Sequence, residues 1–204
     1  MRTLITVGAI LVAQLTLSCG GVDRENQLAT VREMIESGRH QQAVEPLREL
    51  LAETPDDLEV NHLYGVALLV TGRPAMAVWP LRKASLSDEF AVRDGSLLAR
   101  ALLTGGSSDD ALKAASQVLE LEPDNLEMLR LRLDANLESM KNEDALADVD
   151  RILALEPDDL PSRLARVKAR LNLSQEEEAD LAIRDVAETL DRIEDEKLRS
   201  RWLP

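Results

Sequence analysis

The sequence predicts an all-α fold, a superhelical solenoid of antiparallel helix hairpins, with four clear repeats, a degenerate fifth and a C-terminal capping helix. Three observations carry the prediction. Ala43, Ala77, Ala111 and Ala145 stand 34 residues apart, Gly38, Gly72 and Gly106 keep the same step, and Pro55, Pro123 and Pro157 fall on its multiples. Self-similarity at a fixed period of roughly 20–50 residues marks stacked repeat units, each of which buries its apolar face only against its neighbours.

Composition narrows the function classes. Of 204 residues, 45% are hydrophobic and 30% charged, enough apolar surface for a core. Only Tyr64, Trp79, Phe90 and Trp202 are aromatic, so there is no series of stacking platforms for single-stranded nucleic acid. A net charge of -14 also repels phosphate, which excludes nucleic acid as a partner class. An anionic bilayer would not attract the chain by charge alone.

Residues 1–18 combine Arg2 with the apolar run Leu4 to Leu17, and small residues follow. This is the pattern of a secretory signal peptide, too short for a spanning helix, which needs about 20 residues. Cys19, the single cysteine, stands where the run meets Gly20. The segment resembles the lipobox of bacterial lipoproteins, with Thr16 where leucine is usual. The resemblance implies cleavage before Cys19 and a palmitate-type lipid anchor on it. Because Gly20 lacks an acidic retention signal, it also implies an outer-membrane location in the cell envelope. Residues 19–23 then form a short tether of at most about 17 Å if extended, and several acyl chains would hold it stably.

From 24 to 192 the repeats run in order. Each has two stretches at helical spacing around a short turn. In the second unit Tyr64, Gly65 and Leu68 mark one inner face, and Ala77, Leu81 and Ala84 the other. In the third, Leu98, Ala99 and Leu102 face Ala111, Ala115 and Val118. The alanines lie where two helices approach closely. Gly38, Gly72 and Gly106 end first helices in the left-handed region. Pro55-Asp56-Asp57, Pro123-Asp124-Asn125 and Pro157-Asp158-Asp159 stop one helix and cap the next. Pro46 and Pro80, inside second helices, are expected to bend them.

The pattern resembles the tetratricopeptide repeat (TPR), whose large-small-large signature stands in Tyr64-Gly65-x-x-Leu68 and Leu98-Ala99-x-x-Leu102, followed by the alanine and the closing proline. In the fourth unit Arg132 and Asn136 replace large apolar residues, and Met140 replaces the turn glycine. The fifth keeps Ala179 but places Arg166 and Arg170 at inner positions, so its first helix is expected to pack through Leu164, Val167 and Leu171 in a shifted register. The stretch 193–204, with Trp202, is expected to fold over the last hairpin as a cap.

Catalytic candidates are absent from the sequence. His40 and His62, the two histidines, have no ligand-spaced partner, so no metal site is expected. There is no phosphate-binding glycine loop and no Gly-x-Ser-x-Gly elbow. Asp109-Asp110 and Glu176-Glu177-Glu178 open helices, where negative charge suits the macrodipole. The reading is a non-enzyme with no cofactor and no small-molecule substrate.

The resemblance implies instead a concave groove lined by the first helices. In the third unit Ser96, Arg100 and Leu103 share that face, with Arg93 at the rim. Elsewhere the stripe contains Arg32 and Ile35, His62 and Leu69, Arg130 and Leu137, and Leu164 and Lys168. The expected occupant is a protein or peptide segment with apolar anchors and acidic character. Leu28, Leu63 and Leu97 occupy places where a carboxylate clamp needs polar residues, so a chaperone-type clamp is not expected. The function read from the sequence is a lipid-anchored adaptor or scaffold. Alternatives are a pilotin-like assembly factor for an outer-membrane channel and an uncut, inner-membrane-anchored spacer.

Overall fold

A computed structural model describes residues 19–202. Among these the chain forms ten α-helices: α1 (Cys19–Glu36), α2 (His40–Glu53), α3 (Leu58–Val70), α4 (Pro74–Ala84), α5 (Ala91–Thr104), α6 (Ser108–Leu121), α7 (Leu126–Glu138), α8 (Asn142–Leu155), α9 (Leu160–Asn172) and α10 (Glu176–Trp202). They fall into two compact units, one ending at Ser87 and the other beginning at Asp88. In each unit every helix packs on the next, and first helices of adjacent pairs also touch, α1 on α3 and α5 on α7. This is the stacked-hairpin arrangement of a TPR-like array.

The turns explain why the hairpins repeat. Gly38, Gly72 and Gly106 have φ of 75–76°, and Met140 and Ser174 reach 57° at the next two steps of the same interval. At all five, the turn residue's N–H donates back to the third residue before it, as Gly38 does to the Ile35 carbonyl. The following N–H reaches five residues back, as Arg39 does to Met34. Both bonds satisfy carbonyls that the ending helix leaves unpaired. The turn geometry thus persists where glycine is lost, at a cost for Met140 and Ser174 of about 1–2 kcal/mol each.

The opposite ends are capped by side chains. Asp57 accepts from the Val60 N–H at 3.1 Å, Asn125 from Met128 at 3.1 Å and Asp159 from Ser162 at 3.0 Å. At the corresponding place between α4 and α5 the chain reads Glu89-Phe90-Ala91, and no side chain caps α5. The division between the compact units falls beside this missing punctuation.

Small residues set the spacing inside each hairpin. Ala43, Ala77, Ala111, Ala145 and Ala179 are all fully buried, as is Ala99. A Cβ on Gly65 would sit 2.5 Å from Leu81 Cδ2, whose side chain is itself fully enclosed. Around these contacts Leu47, Leu50, Leu68 and Leu81 are enclosed in the first unit and Leu129 and Ile152 in the second, each contributing about 1.5–3 kcal/mol by burial.

Three expectations need correction. Residues 19–23 are not extended, because α1 already includes them; at 1.5 Å per residue they span about 7 Å. The fifth pair keeps the common register: Ser162 and Ala169 are buried, one period after Met128 and Ala135, while Leu164 and Leu171 stay exposed. Burying the small residues lets α9 approach closely, and a shifted register would push Leu164 and Leu171 into that space. Finally, α10 runs unbroken from Glu176 to Trp202. No proline or glycine interrupts it, so the stretch from 193 continues the helix instead of folding back as a separate cap. The expected signal peptide, 1–18, lies outside the described residues.

Candidate functional site

The face named from the sequence is built by first helices. In the first unit it comprises Arg32 on α1 with His62 and Leu69 on α3. In the second it comprises Arg93, Ser96, Arg100 and Leu103 on α5, Arg130 and Leu137 on α7, and Lys168 on α9. His62, Ser96 and Leu137 are buried, Leu69 and Leu103 half-buried, and Arg32, Arg100 and Lys168 exposed. Ser96 Oγ donates to the Val92 carbonyl at 2.7 Å, which ties it to its own helix. Leu28 and Leu63, at positions that would need to be polar for a carboxylate clamp, are buried.

The arginines of this stripe join neighbouring pairs. Arg32 grips Glu59 through Nε and Nη2, at 2.5 and 2.6 Å. Two repeats later Arg100 Nη2 donates to Glu127 Oε1 at 2.7 Å. Arg130 binds Glu156 and, at 2.8 Å, the capping carboxylate of Asp159. Each pair ties a first helix to the next first helix or to the turn that starts it. The first unit therefore presents a paired arginine and the half-buried Leu69, and the second presents paired arginines and the half-buried Leu103, with Lys168 as an exposed cation. At the rim Arg93 lies over the Phe90 ring, 5.1 Å from the centroid.

Carboxylates on this side respond differently to their surroundings. Burial opposes ionisation of Asp159, yet hydrogen bonds from Ser162 and Arg130 outweigh it and hold the carboxyl below its ordinary range. Asp134, on α7, is pushed up by burial and by Glu138, with Lys168 acting against the shift.

A second feature was half visible in the sequence. Arg132 and Asn136, which break the apolar pattern, converge on Asp148 of α8, a buried carboxylate. Arg132 forks onto it, with Nη2 at 2.5 Å from Oδ1, and Asn136 Nδ2 donates to Oδ2 at 3.0 Å. Arg132 Nη1 also reaches Ser116 Oγ on α6 at 3.3 Å. These groups floor a cleft of about 650 Å³, lined also by Lys113, Lys141, Asp109 and Asp144. Lys113 pairs with Asp110, and Lys141 with Asp109 at 2.6 Å. The Lys141 bond holds the Asp109 carboxyl below its usual range. The cluster is a satisfied ion-pair network that replaces hydrophobic packing. Sequence reasoning missed Asp148, although an aspartate one step after Ala114 and two after Pro80 in the repeat was a visible anomaly.

Among the described residues, no group of three His, Cys, Asp or Glu side chains could hold a metal, and no helix is long and apolar enough to cross a membrane. Comparison with known families gives a match to the tetratricopeptide repeat over residues 96–159, from within α5 to the residue that caps α9. Residues 96–159 thus contain the tetratricopeptide repeat. A search of curated protein sequences finds no match. Solved structures similar to this chain include a MamA protein at 14% identity, with a TM-score of 0.73 over 90% of this chain and 97% of that one. MamA MSR-1 aligns at 18% identity with a TM-score of 0.70, covering 84% of this chain and 98% of that one. MamA AMB-1 does so at 18% and 0.72, covering 82% and 92%. At these identities the likeness establishes the shared fold.

Proposed function

We propose that this protein is a non-enzymatic adaptor of a bacterial cell envelope, held to the outer membrane by lipid on Cys19 and presenting its first-helix face to a protein partner. One observation carries the partner surface. In the first unit Arg32 is committed to an inter-repeat pair and Leu69 is half-exposed; in the second Arg100 and Arg130 are so committed, while Leu103 is half-exposed and Lys168 stands open. Such a surface suits an extended or helical segment that supplies apolar anchors and a carboxylate for Lys168. The anchor rests on the signal-like stretch 1–18 and its junction with Cys19.

The test is photo-crosslinking in the native cell, with a photoreactive residue at Leu103 or Lys168 and, as the control, at Glu120 on the second helix α6. Protein adducts from the first-helix sites and none from Glu120 are expected. Adducts confined to Glu120 would refute the face. The anchor is tested separately, since fatty-acid labelling should vanish in Cys19→Ser, and persistent labelling would refute it.

A further inference from the structure

We infer that the outer face of the α9–α10 pair is a docking surface for a second copy of this chain, the two copies meeting like face to like face. The argument begins with positions one period apart. In the fourth pair Leu137 is 8% exposed and Val149 is fully buried, next to the fifth pair that packs on α8; their counterparts Leu171 and Ile183 are 54% and 48% exposed. Leu133 and Ile152 are likewise buried, whereas their counterparts Val167 and Val186 are only half-buried. Leu190 continues the α10 stripe one heptad beyond Ile183 and is also exposed. The face that receives the next repeat inside the array is thus repeated at α9–α10, with the same apolar chemistry. Among the described residues α10 packs on α9, and it runs on to Trp202 without turning back over this face.

Charge indicates what fits there. Helix α9 has Arg163, Arg166, Lys168 and Arg170 and no acid, whereas α10 opens with Glu176, Glu177 and Glu178 and continues through Asp180, Asp185, Glu188 and Asp191 against only Arg184 and Arg192 over residues 176–192, which leaves it net acidic. Arg163 and Arg166 already meet Asp185 within the pair. The balance still leaves one basic and one acidic helix side by side. A two-fold axis through the face sets each α9 against the second copy's α10, so both charge and apolar surface are matched.

Head-to-tail stacking fits less well. On α1 the positions equivalent to the buried Met128 and Leu129 are Asn26 and Gln27, both exposed, and Thr30 beside them is exposed too. Placing these amides on Leu171 and Ile183 would bury polar groups against apolar ones.

Sedimentation of the full chain, in detergent and up to about 100 µM, a range that detects weak dimers, is the test. A concentration-dependent monomer–dimer equilibrium is expected. The double variant Leu171→Glu/Ile183→Glu should raise its Kd at least tenfold with helicity unchanged. Leu181→Glu, on an exposed position whose counterpart Ala147 is also exposed, should leave the Kd unchanged. If the double variant loses helicity, Leu190→Glu alone provides the same reading. A monomer at the highest concentration, a Kd unaffected by these substitutions, or open-ended polymers suppressed by Gln27→Glu would each overturn the inference.

Discussion

The second and fourth repeats build the same hairpin from opposite materials. In α3–α4 the inner positions are Tyr64, Gly65 and Leu68 against Ala77 and Leu81, an apolar contact so close that Gly65 has no room for a Cβ. In α7–α8 the positions of Tyr64 and Leu68 hold Arg132 and Asn136, and a buried Asp148 neutralises the arginine and accepts a hydrogen bond from the asparagine. What the two share is small: an alanine opening the second helix, a left-handed turn residue and an Asp or Asn cap. The repeat is defined by these close-approach and turn positions, while the large positions accept any set of side chains that satisfies itself.

The largest effect is expected from unbalancing the polar cluster. Arg132→Leu alone strands the Asp148 carboxylate in the interior and should cost about 3–5 kcal/mol in denaturant unfolding; a change below 1 kcal/mol would mean that Asp148 reaches water. In the apolar repeat the matching break is Gly65→Ala, which forces its methyl onto Leu81 and should cost about 1–3 kcal/mol.

The turns give a smaller and signed comparison. Gly72→Ala should destabilise by about 1 kcal/mol, whereas Met140→Gly should stabilise by up to about 1 kcal/mol, since only the second change relieves a side chain in the left-handed region. Ser174→Gly should behave like Met140→Gly, and a loss of stability in both would contradict the shared turn geometry.

Smallest are the electrostatic effects. The raised pKa of Asp134 means that its charged form is disfavoured in the fold, so the associated stability is present at low pH and lost as pH rises through its folded value. Asp134→Asn should therefore raise the melting temperature at pH 7 and bring no gain in acid. Asp159 has the opposite sign, with its contribution present at neutral pH and lost as pH falls through its lowered value. Arg100→Ala should give a small loss that disappears in high salt, as exposed pairs do.

Sequence alone revealed the hairpins because their determinants are local and recur at a fixed interval. Glycine, proline, a capping Asp or Asn, and alanine at a helix crossing each have a direct backbone consequence. It was less informative where partners lie far apart along the chain. Arg32 and Arg100 were visible as a basic stripe, but Glu59 and Glu127, 27 residues onward, turn them into inter-repeat ties. Arg132 looked like an irregularity until Asp148 accounted for it. Leu164 and Leu171 suggested a shifted register because their hydrophobicity was weighed above the small Ser162 and Ala169 that α9 needs for close packing.

The most direct test exchanges one repeat's solution for another's. Arg132→Leu, Asn136→Leu and Asp148→Ala together place in α7–α8 the residues found at Leu98, Leu102 and Ala114 in the third repeat. Measured by equilibrium unfolding, the triple variant should return to within about 1–2 kcal/mol of the parent, or exceed it, with unchanged helicity. A triple variant as unstable as Arg132→Leu alone would show that the large positions, and not the small and turn residues, specify the repeat.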